Sequence, residues 1–203
     1  MSNGKGGKTT ALTPAQKIMV WAKGRVGKQV GRGECWDLGE EALKQAGAMT
    51  SNDLNPGVDQ STFEDLDYVW GDEITNLKDV QRGDILQIRD LLITTITVTE
   101  IAFTDGSTVV ERATRVAKRG HHTAIARSTP DVDGVVKTYE QHVNGRNVVQ
   151  KLHLHTRSMP EAVTRSTGKR RHPKTGKLEA VKVRTAVTVE VSGKIWAYRP
   201  KPK

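Results

Sequence analysis

Two periodicities of apolar positions divide the chain. Between residues 13 and 46, apolar side chains such as Ile18 recur every three or four positions, as they do in amphipathic helices. Thr13 followed by Pro14 is typical of a helix start and predicts a first helix running to about residue 24. A second helix is predicted from residue 35 to about residue 46, with Gly47 as its C-cap.

From residue 84 onward the pattern changes to short apolar runs separated by turn sequences. Asp105-Gly106 and Asn144-Gly145 are typical of hairpin turns, and Ser192-Gly193 predicts a further turn between the last two strands. The predicted strands are residues 84–88, 91–103, 107–112, 122–127, 135–143, 146–154, 178–191 and 194–198. Two helices followed by an antiparallel sheet of about six or seven of these strands predict an α+β domain rather than repeated βαβ units.

The length of 203 residues and the 35% hydrophobic content suit one domain with its own core. Residues 1–12 are rich in Gly, Lys and Thr and are expected to be disordered, so the domain is predicted for residues 13–200. A basic insertion is predicted at about residues 157–177. The chain has no apolar run long enough to span a bilayer, and its N-terminus has no apolar segment typical of a secretion signal.

The net charge of +9 is concentrated near the end of the sequence. Residues 165–203 contain 12 Lys/Arg and 2 Asp/Glu, whereas residues 1–164 contain 20 Lys/Arg and 21 Asp/Glu. Such a basic region favours an anionic polymer as partner, with Lys169, Arg170 and Arg171 as the contact residues. A solvated basic loop that serves only solubility explains the same charge pattern.

The single cysteine, Cys35, is a candidate nucleophile. It lies at the predicted start of a helix, where unpaired backbone N–H groups and the helix dipole stabilise a thiolate. The same amides could donate to an oxyanion. The neighbours of the thiol, Gly33, Glu34 and Trp36, are the candidates for contacts with a substrate or an oxyanion. A buried structural thiol is the alternative, since free cysteine is often buried.

The candidate base is His122, at the start of a strand of small and apolar residues. Alternation places Ala124 and Ala126 on the same face as His122, which leaves room for a helix to approach. Glu140 and His142 share one face of the following strand, and either could orient the His122 ring. No metal or other cofactor is expected, because adjacent histidines in a strand point in opposite directions and no HExxH pair is present.

Six blocks in this order resemble the CHAP family (cysteine, histidine-dependent amidohydrolases/peptidases), relatives of the NlpC-type cell-wall peptidases. The blocks are Gly33-Glu34-Cys35-Trp36-Asp37-Leu38, Tyr68-Val69-Trp70-Gly71, Arg82-Gly83-Asp84-Ile85-Leu86-Gln87, His122-Thr123-Ala124-Ile125, Glu140-Gln141-His142 and Ile195-Trp196-Ala197-Tyr198-Arg199-Pro200. The resemblance covers about residues 14–200. It implies a papain-like fold, with the helices packed on an antiparallel sheet or half-barrel.

The resemblance also implies an activity. Cys35 would attack an amide carbonyl, most often in peptidoglycan, with His122 as base, so the chain would be a cysteine amidase or peptidase. The family often has Gln immediately before the cysteine, where this chain has Glu34. The family's third residue lies in a Glu-x-Asn segment, and His142 at that place is preferred slightly over Glu140.

Two hypotheses follow from these patterns. The first is a monomeric thiol hydrolase of peptidoglycan or another amide-containing polymer, acting outside the cell or at the cell wall. The second is a catalytically weak or inactive papain-like module that binds an anionic polymer through the basic C-terminal region. Nucleic-acid binding is a weaker possibility, because the chain has only two Phe and three Tyr to stack on bases.

Overall fold

The computed structural model describes residues 11–57 and 67–203. The predicted disordered segment therefore lies almost entirely outside the described residues. Helix α1 spans Pro14–Lys23, where the Thr13 side chain and Gln16 form a capping box. Helix α2 spans Cys35–Ala46 and ends at Gly47, which has a left-handed φ of 67°. Both predicted helices are confirmed, and a short helix α3 (Ser51–Leu54) follows them.

In the described part of the chain, seven strands form one antiparallel sheet. The strands are β1 (Asp72–Ile74), β2 (Ile85–Ala102), β3 (Thr108–Ala126), β4 (Val135–Glu140), β5 (Gln150–His155), β6 (Met159–Arg171) and β7 (Leu178–Arg199). They are arranged in the order β1-β7-β2-β3-β4-β5, with β6 on the distal part of β7. The α+β class is confirmed.

Several predicted strands are parts of longer ones. The chain does not turn at Ser192-Gly193, because both stretches pair with the same strand, β2, and form one strand, β7. Gly193 instead lies at an irregularity in the ladder, where a Cβ would come within 2.3 Å of the Asp90 carbonyl oxygen. The basic segment predicted as an insertion contains β6, which pairs with β7 from Met159 to Arg171.

The body of the domain has a core on each side of the sheet. Helices α1 and α2 cover one side, where Leu38 and Leu43 pack against Ile125 and Tyr139. The second core contains Ile88, together with Val80 from the segment that precedes β2. None of the helices in the described part of the chain is long and apolar enough to cross a membrane.

The distal parts of β6, β7, β2 and β3 form a four-stranded extension, which we call the ribbon. It is made of residues 159–171, 178–192, 92–102 and 108–118. A small apolar cluster that includes Ile101, Phe103 and Val181 stabilises its tip. His172 is 3% exposed there and packs its ring 4.8 Å from the ring of Phe103.

Candidate active site

The loop before Cys35 is held by the first turn of the helix that follows it. The Asp37 carboxylate accepts hydrogen bonds from the backbone N–H of Arg32 (2.7 Å) and of Glu34 (3.2 Å). Gly31 and Gly33 have φ values of 53° and 98°, a region that favours glycine. A Cβ on Gly31 would lie 2.7 Å from Asp37. These constraints place Cys35 at the first position of α2.

A side chain from the end of β4 holds the same loop. The Gln141 amide accepts from the backbone N–H of Val30 (2.8 Å). It also donates to the carbonyls of Val30 (3.0 Å) and Glu34 (2.8 Å). Gln141 is fully buried, so these three hydrogen bonds fix the distance between the end of β4 and the thiol.

The thiol lies at the edge of β3, just beyond the end of β4. Strand β4 pairs with β3 only at Ala124–Ala126. The Cys35 Sγ is 3.9 Å from the His121 carbonyl oxygen, and it also has a backbone hydrogen bond with Thr123. Helix α2 packs closely here, since a Cβ on Gly39 would lie 3.1 Å from both Thr123 and Trp70. The helix therefore contacts the Thr123 face of β3, and not the Ala124 face as the sequence predicted.

His122 lies between Cys35 and a buried carboxylate. Its Nε2 is 3.2 Å from Glu140 Oε2, and its side chain also bonds to Cys35. Ala124 pairs with Glu140 in the ladder, so His122 and Glu140 are diagonal neighbours on one face. Glu140 is further held by Arg119 Nε (2.7 Å) and the Thr138 hydroxyl (2.5 Å).

These contacts shift the pKa values in opposite directions. Burial alone would raise the pKa of the Cys35 thiol, but the hydrogen bond and the positive charge of His122 outweigh it and lower that pKa. Burial alone would lower the pKa of His122, yet Cys35 and Glu140 raise it to about 9. The pKa of Glu140 is lowered to about 2 by His122 and Arg119 in spite of burial. The arrangement favours a thiolate next to an imidazolium.

His142 lies elsewhere in the site. Continuing the ladder by two residues would place it opposite His122, but β4 ends at Glu140 and His142 has a φ of 62°. Its Nδ1 lies 3.4 Å from Glu34 Oε2, and both side chains are about half exposed. The slight preference for His142 over Glu140 therefore does not match the contacts.

A cavity of about 580 Å³ opens over the thiol. Among its lining residues are the predicted Glu34, Cys35, Trp36, His122 and His142, together with three cations, Arg32, Lys118 and Arg119. The predicted Gly33 directly precedes Glu34 in the sequence, and a Cβ on Gly33 would lie 2.8 Å from Asn147. The negative charge of Glu34 acts to raise the pKa of Cys35, which opposes the effect of His122.

The sequence analysis missed Arg119, Gln141 and Asp37 as residues that build the site. Asp37 had a recognisable signal, because an acidic residue three positions after the N-cap can accept from the N-cap backbone. Arg119 had none, since it lies 21 residues from Glu140 in sequence. His172, which falls in the predicted basic insertion, is buried at the ribbon tip, where its Nε2 is 3.1 Å from Asp105 Oδ2.

A helix-borne cysteine, a strand-borne histidine and a buried carboxylate on an antiparallel sheet define a protein of the cysteine proteinase type of fold. Comparison with known families agrees with this class. The chain belongs to the family described as the AIM3/BBC1 cysteine proteinase-fold domain, whose model matches residues 10–203. The cysteine proteinase fold is thus confirmed, although through this family and not through the CHAP family.

The chain is also similar to a protein of Debaryomyces hansenii called "Altered inheritance of mitochondria protein 3". The two are 27% identical over 153 residues, which cover 72% of this chain and 15% of the relative. The chain therefore spans a small part of that relative's length. No solved structure matches the chain significantly.

These matches correct the functional prediction. The family is described by its fold alone, and the relative comes from a yeast and has a name that refers to neither a peptidase nor a cell wall. The assignments as a CHAP-like cysteine amidase or peptidase, as a cell-wall protein and as a partner of peptidoglycan are therefore wrong. They rested on short blocks around Cys35 and His122, and such blocks reflect a shared fold more than a shared substrate.

Proposed function

We propose that this domain is a binding module of the cysteine proteinase fold that holds an anionic polymer on the ribbon and retains a thiol site of weak turnover. One observation carries the binding proposal, namely the charge of the β6–β7 hairpin. Residues 165–184 contain eight Lys/Arg and one acidic residue, Glu179. A surface with such an excess attracts polyanions over a Debye length.

The register of β6 and β7 collects most of these cations on one face. Arg165 pairs with Arg184, Thr167 with Lys182 and Lys169 with Ala180, and paired residues point to the same side of a sheet. The face therefore presents five cations, Arg165, Lys169, Arg171, Lys182 and Arg184, and we call it the basic face. Arg170 projects from the opposite side, so the predicted triplet of residues 169–171 is not one patch.

Most of the charge on the basic face is uncompensated. Arg184 is held by Glu100 (3.3 Å) and Glu161 (2.8 Å). Within the described residues, the other four cations form no ion pair with a carboxylate. A polymer of anions could neutralise them without breaking a contact of the fold.

The weak turnover is supported by the surroundings of Cys35. An acyl-transfer reaction places negative charge on an oxygen next to the nucleophile, and donors must stabilise that charge. Glu34 immediately precedes the thiol and lines the same cavity with a carboxylate. Arg119 shares the Glu140 Oε2 atom with His122, so this one carboxylate serves two cations.

Binding of heparin, measured by titration calorimetry at several salt concentrations, tests the proposal. Lys169→Glu/Lys182→Glu should weaken binding at least tenfold and flatten its salt dependence, because two cations of the basic face are reversed. Lys137→Glu/Lys151→Glu is the matched control, since both lysines are exposed on strands β4 and β5. Equal binding by the two double variants would refute the proposal.

A further inference from the structure

Strand β3 has a long open edge that leads to the thiol. It pairs with β2 between Thr108 and Ile125, but on its other side β4 covers only Ala124–Ala126. Within the described part of the chain, the stretch from Val110 to Ala117 thus has no strand partner on that side, and we call it the open edge. Residues 111–118 are all exposed. An unpaired edge of this length presents a row of backbone donors and acceptors.

The open edge is basic. It contains Arg112 and Arg115, and Lys118 follows it directly, against one acidic residue, Glu111. Arg112 and Lys118 share one face of the strand and Arg115 lies on the other. The charges therefore flank the edge on both sides of the sheet, and this differs from the basic face of the β6–β7 hairpin.

The open edge ends at the cavity of the active site. Lys118, Arg119 and Gly120 line that cavity. The Arg119 guanidinium donates to the Lys118 carbonyl (2.9 Å), which marks the end of the edge available for pairing. The Cys35 Sγ contacts the carbonyl of His121, only four residues beyond Ala117. At about 3.3 Å per residue, an added strand would need roughly 13 Å more to reach the thiol.

A polypeptide suits this surface better than other anions do. Only another backbone offers donors and acceptors at the spacing of a strand edge, so an extended peptide can continue the ladder. Acidic side chains on such a peptide would meet the cations on both faces. A second copy of this chain is disfavoured, because each open edge with Lys118 carries three cations against one carboxylate, so two such edges repel each other.

We propose that the open edge of β3 accepts an extended acidic polypeptide segment as an added β-strand, and that this segment continues into the cavity over Cys35. The proposal goes beyond the proposed function, because it names a polypeptide as partner and derives the partner's acidic character from Arg112, Arg115 and Lys118. It assigns the binding to β3, whereas the polyanion proposal assigns it to β6 and β7.

The test uses a fluorescein-labelled decapeptide in which pairs of Glu alternate with pairs of Val, so that both faces of the added strand carry carboxylates. The peptide is blocked at its C-terminus, and binding is followed by anisotropy. Arg115→Glu/Lys118→Glu should weaken binding at least tenfold, and Arg115→Gln/Lys118→Gln should weaken it less. The decapeptide N-methylated at every second residue, which keeps its charge but loses backbone donors, should bind at least tenfold more weakly. Circular dichroism of each variant checks that the exposed substitutions leave the fold intact.

A second readout locates the bound peptide. Saturating unmethylated decapeptide should slow the alkylation of Cys35 by iodoacetamide at least threefold in the wild-type protein, because the added strand leads into the cavity. The matched variant Lys169→Glu/Arg171→Glu on β6 should keep both the affinity for the decapeptide and this protection.

Three outcomes would overturn the inference. Equal binding of the methylated and unmethylated peptides would show attraction by charge alone. Loss of peptide binding only in the β6 variant would place the partner on the basic face, which leaves the proposed function standing. Dimerisation through the open edge in analytical ultracentrifugation, abolished by Arg115→Glu, would identify a second copy as the occupant. Failure of the proposed function is separate, since it would appear as heparin binding unaffected by Lys169→Glu/Lys182→Glu.

Discussion

The thiol of Cys35 depends on its neighbours for its charge state. Burial works against a thiolate, and His122 supplies the hydrogen bond and positive charge that reverse the balance. Glu140 in turn keeps His122 protonated, since it helps raise the pKa of that ring to about 9. Glu34 acts in the opposite direction, because its carboxylate raises the pKa of the thiol. The reactivity of this site is therefore a balance between His122 and one acidic residue next to the nucleophile.

The first prediction concerns the pH dependence of Cys35 alkylation. The midpoint for the wild-type protein should lie below the value of about 8.5 typical of a free thiol. His122→Ala should move it above that value, because burial is then opposed by the weaker backbone hydrogen bond from Thr123, and Glu34→Gln should lower it. Iodoacetamide rates measured from pH 5 to 10 give these midpoints.

His153→Ala is the control for this prediction, since His153 is an exposed histidine on β5. Its profile should overlay that of the wild-type protein. If His122→Ala also overlaid the wild type, the ion pair between Cys35 and His122 would be wrong.

At the scale of elements, the site is built where β4 ends and α2 begins. The end of β4 leaves the edge of β3 uncovered, and α2 places its first residue against that edge. Gln141 joins the two elements through three hydrogen bonds to the loop before the thiol. The position of Cys35 therefore depends on β4 as much as on its own helix.

The second prediction is that Gln141→Leu both destabilises the fold and disturbs the loop that positions Cys35. It would leave the Val30 N–H without its partner and remove the hydrogen bonds from Gln141 to the carbonyls of Val30 and Glu34, of which the former keeps its bond from the Gly33 N–H (3.0 Å). The expected cost is about 2–4 kcal/mol in the free energy of unfolding. Urea unfolding at pH 7 measures this loss, and alkylation of Cys35 at pH 6 should slow in the same variant.

Gln150→Leu is the matched control, because among the described residues the Gln150 side chain donates a single hydrogen bond, to the Val143 carbonyl (3.2 Å). Gln150→Leu should lower the free energy of unfolding by about 1 kcal/mol or less, with Cys35 alkylation unchanged. A smaller loss for Gln141→Leu than for Gln150→Leu would contradict the assigned role of Gln141.

At the scale of the whole molecule, the domain has a two-sided core and a charged ribbon that extends from it. The buried charges of the site connect this architecture to pH. Glu140 has a folded pKa of about 2, below its ordinary value of 4.5, so its stabilising contribution is present above pH 4.5 and is lost as the pH falls towards 2. His122 has a raised folded pKa, so its contribution is present below pH 6.5 and is lost as the pH rises through about 9.

The third prediction is that the stabilising effect of Glu140 disappears in acid. Glu140→Gln should lower the free energy of unfolding at pH 6 by on the order of 3 kcal/mol, because His122 and Arg119 lose their buried counter-charge. The difference from wild type should shrink steadily between pH 4.5 and 3. Urea unfolding curves at pH 6, 5, 4 and 3 provide the measurement, and a constant difference over this range would contradict the assignment.

Local sequence patterns determined much of the secondary structure of this protein and its candidate nucleophile. Capping residues and apolar spacing determined α1 and α2, turn sequences determined the hairpins at Asp105-Gly106 and Asn144-Gly145, and the glycine-rich approach drew attention to Cys35. These features depend on neighbours within a few residues, so the sequence alone contains them. The lengths of β2, β3 and β7 do not follow from local sequence. Strand β7 continues through Ser192-Gly193 because the residues before and after this pair both form a ladder with β2.

Only the tertiary structure decided which residues meet at the site. Glu140 and His142 share a strand face in the sequence pattern, and the end of β4 with the left-handed backbone at His142 separates them. Arg119 reaches Glu140 only because the sheet brings β3 against β4. The sequence determined which chemical groups are candidates for the site, because helix starts and strand faces depend on local sequence. The edges of the sheet decided which of these groups meet, because an edge exists only once every strand has paired.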